Sequence, residues 1–245
     1  MTGARPILRV AGLGKTFGGL RAVHACSFDV APGTAVGLIG PNGSGKTTIF
    51  NLIMNLLRPD TGAVFYNEER IDGLPAWQIA RRGIGRTFQS VRLFRDLTVR
   101  ENLAIAAMGR GRTDWEPDGR RWLERMELAH FSEQAAGTLS VGQQRLLELA
   151  MNLLVEPAFL MLDEPLAGVN PVIRRRIGEI VESLRAEGRT FLIIEHHMPF
   201  VMQHCDKIVV LDHGEKIAEG PPATIRADAR VVDALLGARR AGAVP

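Results

Sequence analysis

The chain has 245 residues, 46% hydrophobic and 23% charged, a balance that supports a packed core and excludes the disordered and collagen-like classes. Its formal net charge of +3 is dispersed through short Arg pairs and the triplet Arg174 to Arg176, without interleaved aromatics, so no nucleic-acid partner is expected. No apolar run reaches the length a bilayer demands, and Arg9 and Lys15 interrupt the early apolar stretch, so neither a membrane span nor a secretory leader is expected.

In chain order, Ile7 to Val10, Ser27 to Val30 and Ala63 to Tyr66 read as β segments separated by Gly and Pro, a small antiparallel portion beside the first parallel strand. Ala35 to Ile39 reads as a buried strand, followed by a helix whose Ile49, Leu52, Ile53 and Leu56 share a face. Between Asp96 and Thr138 helical patterns dominate, broken by a polar, turn-rich patch from Gly109 to Gly119. Further on come a buried strand at Phe159 to Leu162, a helix opened by Pro171 with Ile173, Ile177, Ile180, Val181 and Leu184 on one face, and a strand at Phe191 to Ile194. Alternating strands and helices predict an α/β core with a mainly parallel sheet. Residues 1–95 and 139–237 are expected to form this core with its β portion, residues 96–138 an inserted helical subdomain, and residues 238–245 a mobile tail. Cys26 and Cys205 lie far apart without metal-ligand spacing and read as buried small side chains in a reducing compartment, with a structural disulfide as the alternative.

Each buried strand ends just before residues able to do chemistry, where ligands bind in such sheets. Gly40, Pro41, Asn42, Gly43, Ser44, Gly45, Lys46, Thr47 and Thr48 follow one strand and open a helix, the setting of a phosphate-binding P-loop. Glycines let the backbone wrap closely, N–H groups point at phosphate oxygens, and the helix N-terminus favours negative charge. The four fixed positions arise by chance in roughly one chain in a hundred of this length, and the strand and helix requirement makes accident rarer. Lys46 is expected at the β- and γ-phosphates of ATP and Thr47 at Mg²⁺. The apolar strand from Phe159 ends in Asp163 and Glu164, as a Walker B strand does: Asp163 is expected to hold Mg²⁺ through water and Glu164 to polarise the attacking water.

Leu139-Ser-Val-Gly-Gln-Gln-Arg145, shortly before the acidic strand, resembles the signature of the ABC ATPases, a branch of the P-loop (RecA-like) NTPases. By itself it also fits an ordinary helix capped by Ser140. The resemblance implies that Ser140, Gly142 and Gln143 meet the nucleotide of an opposing subunit, so that two copies enclose two ATP molecules. Gln89 in Arg86-Thr-Phe-Gln resembles the Q-loop residue that reports on Mg²⁺ and the membrane partner, and His196 resembles the switch histidine at the γ-phosphate. Phe17 matches the adenine-stacking aromatic, against a simple core role. Asn170 and His197 stand where many members carry Asp, a departure that bears on inter-subunit hydrogen bonding.

The resemblance covers almost the whole chain and is strongest to the ATPases of branched-chain amino-acid importers, through Lys15 to Val23, Gly85 to Val99, Glu164 to Pro171 and Val209 to Gly220. The stretch from Leu103 to Gln134 is shorter than in many members. The resemblance implies a homodimer or a heterodimer with a second ABC ATPase, two permease subunits, an extracytoplasmic solute-binding protein, and a cytoplasmic location on the inner face of the membrane. Urea or short-amide importers share much of the pattern, and lipopolysaccharide exporters share the single short cassette. Soluble ABC ATPases of DNA repair or translation add a second cassette, a coiled coil or zinc-binding cysteines, none of which is seen here.

Overall fold

A computed structural model describes the backbone of residues 5–241 and the side chains of residues 5–235. The chain opens with β1 (Leu8–Phe17) and β2 (Leu20–Val30), an antiparallel pair in which buried Leu8 and Val10 alternate with exposed Arg9. Both strands run further than the local β signals, because backbone pairing carries the hairpin into its polar end. Next come β3 (Ala35–Ile39), buried throughout, α1 (Lys46–Ile53), β4 (Thr61–Tyr66), β5 (Glu69–Arg70), α2 (Ala76–Arg81) and β6 (Ile84–Arg86).

Two helices follow, α3 (Val99–Met108) and α4 (Glu116–Arg125), then two single 3₁₀ turns, Ala129–Phe131 and Ala136–Thr138. The turn-rich patch is shorter than its composition suggests: its last four residues, from Glu116, form the first turn of α4, with Glu116 and Asp118 there favouring the helix N-terminus. The remaining elements are α5 (Val141–Leu154), β7 (Phe159–Asp163), α6 (Pro171–Ala186), β8 (Thr190–Ile194), α7 (Met198–His204), β9 (Lys207–Asp212), β10 (Glu215–Gly220), α8 (Pro222–Ala227) and α9 (Ala229–Ala241). Of the tail marked out by composition, residues 242–245 lie outside the described residues, and the backbone of 238–241 continues α9.

Two sheets result, a four-stranded antiparallel one in the order β2-β1-β4-β5 and a six-stranded one in the order β10-β9-β3-β8-β7-β6. In the second, β3 and β6 to β9 are parallel and β10 is antiparallel at one edge. Alternation along its strands separates two cores. Met161, Leu192 and Ile194 pack toward α1 and the antiparallel sheet, whereas Leu160, Leu162, Phe191 and Ile193 pack toward α3 to α7. Buried on both faces, the central strands are continuous apolar runs. In this parallel array β3, β6, β7 and β8 point the same way, so Gly40, Thr87, Glu164 and Glu195 all emerge at one end of the sheet. Cys26 and Cys205 are both buried, free thiols.

Candidate functional site

The loop from Gly40 to Gly45 is folded so tightly that two positions admit no side chain. A Cβ on Gly40 (φ 151°) would lie 2.1 Å from the Leu211 carbonyl oxygen, and one on Gly45 (φ 100°) would lie 2.4 Å from that of Ala22. Lys46 folds back over this loop, its Nζ donating to the carbonyls of Gly40 at 2.9 Å and Pro41 at 2.8 Å, which leaves one of its three donors. Burial lowers the Lys46 pKa, and the carboxylates of Glu164 and Asp163 oppose that shift. Ser44 Oγ is buried with no protein partner, Thr48 is half-buried, and Asn42, Gly43 and Thr47 are exposed.

The N-terminus of α1 differs from those of α3, α5 and α6. Thr98, Ser140 and Asn170 cap α3, α5 and α6 through their side chains, but α1 has Gly45 at its cap, no side-chain cap and no acidic residue in its first turn. Its first N–H groups and positive dipole end are therefore available to an anion from outside the fold.

Two carboxylates close the other side. Asp163, the last residue of β7, accepts from Arg86 Nη2 through Oδ2 at 3.2 Å, while its Oδ1 is buried and unpartnered. Burial raises the Asp163 pKa, and Arg86 opposes the shift. Glu164 has φ 50°, a left-handed backbone unusual for a side chain of its size, and its amide donates to the Ile194 carbonyl at 3.0 Å. Its carboxylate receives Gln89 Nε2 at 3.1 Å on Oε2 and meets His196 Nε2 at 2.8 Å on Oε1. Two residues from two other loops thus converge on one carboxylate.

Ser140, Gly142 and Gln143 stand elsewhere. Ser140 Oγ accepts from the Gln143 amide at 3.4 Å, and Gln143 Oε1 accepts from the Ser140 amide at 2.9 Å, a reciprocal cap on α5. Gly142 lies against α6, where an added Cβ would come within 2.9 Å of Ile173 Cγ1. Among the described residues no hydrogen bond joins these three to the Gly40–Thr48 loop. Beside them Val141 and Val172 present exposed apolar side chains. Phe17 is 42% exposed with Lys15 Nζ 5.6 Å from its ring centre, so it is a surface aromatic and not part of the core.

The structure adds residues to which sequence alone assigns no role. Arg86 also donates to Asn51 Oδ1 of α1 at 2.8 Å. Glu195, nearly fully buried, accepts from the Leu166 amide at 2.8 Å and from the amides of His196 and His197 at 3.0 and 3.2 Å, fixing the loops after β7 and β8 to each other. The available signal was an acid directly after a buried apolar strand, beside two histidines. Asn170 caps α6 by accepting from the Ile173 amide at 3.0 Å, and His197 Nε2 lies 2.7 Å from Arg174 Nη1.

The description "ABC transporter" belongs to a family model that matches residues 23–167. The chain belongs to the ABC transporter family. A second family model, for branched-chain amino acid ATP-binding cassette transporters, matches residues 215–241 of this ABC chain. Its similar proteins include the high-affinity branched-chain amino acid transport ATP-binding protein BraF of Pseudomonas aeruginosa, 42% identical with 96% of this chain and 99% of that one covered. LivG of Escherichia coli, which carries the same description, is 40% identical over the same shares. Among solved structures, the ADP conformation of MJ1267, an ATP-binding cassette of an ABC transporter, has a TM-score of 0.88 and 33% identity, covering 96% of this chain and 100% of that one. ABC membership brings ATP binding and the ATPase class with it. Among the described residues no helix is long and apolar enough to cross a membrane.

Proposed function

We propose that this chain is the ATP-hydrolysing subunit of an importer of branched-chain amino acids. The observation that carries the catalytic reading is the convergence of Gln89 and His196 on Glu164, beside an uncapped helix N-terminus and a buried lysine. The triphosphate lies along the loop of Gly40, Pro41, Asn42, Gly43, Ser44 and Gly45, with Lys46 and the α1 amides of Thr47 and Thr48 facing its oxygens. Ser44 Oγ, buried and without a protein partner, suits a donor to such an anion. Glu164 takes the proton of the attacking water, Gln89 and His196 hold the carboxylate and the water in line, and Phe17 stacks on the adenine.

The residues present fit Mg²⁺. The unpartnered Asp163 Oδ1 and the hydroxyl of exposed Thr47 are hard oxygen donors, Gln89 is bonded to the neighbouring Glu164, and a short protein donor set suits an ion shared with phosphates. Bound there, Mg²⁺ would neutralise charge on the phosphate oxygens.

Ser140, Gly142 and Gln143 act on the nucleotide of an opposing copy or of a second ABC ATPase, a reading supported by their separation from the chain's own phosphate loop and by exposed Val141 and Val172 beside them. Residues 96–138 act as the helical subdomain and the remainder of the described chain as the core. Two permease subunits hold the pair at the inner face of the membrane, and an extracytoplasmic binding protein delivers the solute. The solute assignment is supported by the names of BraF and LivG and by the match over residues 215–241.

The test is Glu164→Gln at saturating Mg-ATP with the permeases restored. Nucleotide is retained, the chains pair, and turnover falls at least ~100-fold, the scale of a lost general base. Near-normal turnover in that variant would remove Glu164 from the reaction.

A further inference from the structure

Residues 88–92 belong to no helix or strand, yet Gln89 among them must meet Glu164 accurately. What fixes this backbone comes from α5. Arg145 Nη1 donates to the Phe88 carbonyl at 2.7 Å and Nη2 donates to the Gln89 carbonyl. Glu148 Oε1 accepts from the amides of Phe88 at 3.3 Å and Arg92 at 3.4 Å. Among the described residues no other hydrogen bond reaches the backbone of residues 88–92.

Arg145 and Glu148 lie one helical turn apart, 3.6 Å between their charged atoms, and both are nearly fully buried. A buried ion pair is an inefficient way to stabilise a fold, since desolvation offsets much of its attraction. Here the side-chain hydrogen bonds of both members go to one loop and none runs between the two. Arg145 suits the task because its planar fork donates to two carbonyls at once, which a lysine ammonium on its flexible stem does not reproduce. Loop and helix are thereby joined: α5 is capped by Ser140, the residue read above as facing the partner's nucleotide.

We propose that Arg145 and Glu148 are positioning residues that hold the Phe88–Arg92 backbone so that Gln89 reaches Glu164, and that they tie the placement of Gln89 to the placement of α5. The proposal rests on the reading of Gln89 and Glu164 given above. It makes one end of α5 a contact to the opposing subunit and its middle a support for the chain's own hydrolytic group, so closure at one nucleotide is felt at the other.

The experiment compares Arg145→Lys, Gln89→Ala and the double variant in the full-length chain, reading kcat, KM and nucleotide Kd. Arg145→Lys is expected to lower kcat about tenfold with Kd within about twofold of the original, and to cause no further loss in the Gln89→Ala background. Glu148→Gln, which keeps an acceptor oxygen, is expected to recover most of the turnover lost in Glu148→Leu. Equal fold-losses in both backgrounds, or an unchanged kcat in Arg145→Lys, overturn the proposal, because a purely structural role is blind to residue 89. Hydrogen exchange on the unsubstituted chain adds a measurement that needs no variant to fold: the Phe88 and Arg92 amides are expected to exchange as slowly as those of α5, and exchange typical of a free loop overturns it. Full turnover in Gln89→Ala alone would defeat the underlying site reading and the proposal with it, an outcome distinct from the other two.

Discussion

Arg86 and Asp163 form an ion pair sealed inside the protein, Nη2 to Oδ2 at 3.2 Å, with side chains 4% and 2% exposed. The guanidinium carbon lies 5.5 and 4.9 Å from the ring centres of Phe50 and Phe88, and the group links β6, α1 and β7 through Asn51 and Asp163. Removing one partner of such a pair leaves the other charged and desolvated. Arg86→Met is therefore expected to cost about 3 kcal/mol or more of unfolding free energy. Denaturant titration of the isolated chain measures it, and a loss below about 1 kcal/mol would show that water or another group reaches Asp163.

Lys46 holds the carbonyls of Gly40 and Pro41 in the same loop that it is proposed to offer to phosphate. Lys46→Ala loses a buried cation and two loop contacts together. Nucleotide affinity is expected to fall at least about tenfold, or about 1.4 kcal/mol, with the fold retained. Calorimetric titration with ATP decides this, and unchanged affinity would remove Lys46 from the phosphate site.

Asp72 follows β5 and is buried against β4, where burial works against its charge. The Arg70 guanidinium, at 3.0 Å through Nη2, and the Val64 amide, at 3.0 Å, outweigh burial and hold its carboxyl below the usual carboxylate range. The folded state thus binds fewer protons at this group than the unfolded chain, so its contribution is present above the ordinary carboxylate pKa and lost as pH falls through the lowered one. Wild-type stability should drop more steeply than that of Asp72→Asn between about pH 5 and about pH 3. Parallel slopes in urea titrations across that range would contradict the assignment.

Cys26 and Cys205 are buried, and burial pushes their thiols up to about 11 and about 12. Thiolate is the reactive form, so at about pH 8 the native chain should resist an aromatic disulfide reagent. Both thiols should react after denaturation. Rapid labelling of either in the native chain would show that its pocket opens.

Much of this architecture was legible because it is local. Lys46 follows a strand and a Gly-rich run within a few positions, Asp163 and Glu164 end an apolar strand, and Pro171 opens a helix after Asn170, so contiguous residues carry their own setting. The limits were legible too: periodicity marked the helices between Asp96 and Thr138 but lost the first turn of α4, because Glu116 and Asp118 help a helix start while looking like loop.

The one-dimensional order determined which groups this protein possesses: a glycine cradle with a lysine, a strand ending in two carboxylates, a glutamine, a histidine and a capped helix. Tertiary structure alone decided which of them touch. β8 inserts between β3 and β7, and β6 pairs with β7, so Arg86 reaches Asp163 across 77 positions and Gln89 reaches Glu164 across 75. Glu195 binding Leu166 and Arg145 gripping Phe88 follow from the same stacking of strand ends and helix. Such pairings depend on strand order and on the angle at which α5 crosses the sheet, and neither quantity is written in the spacing of any single segment.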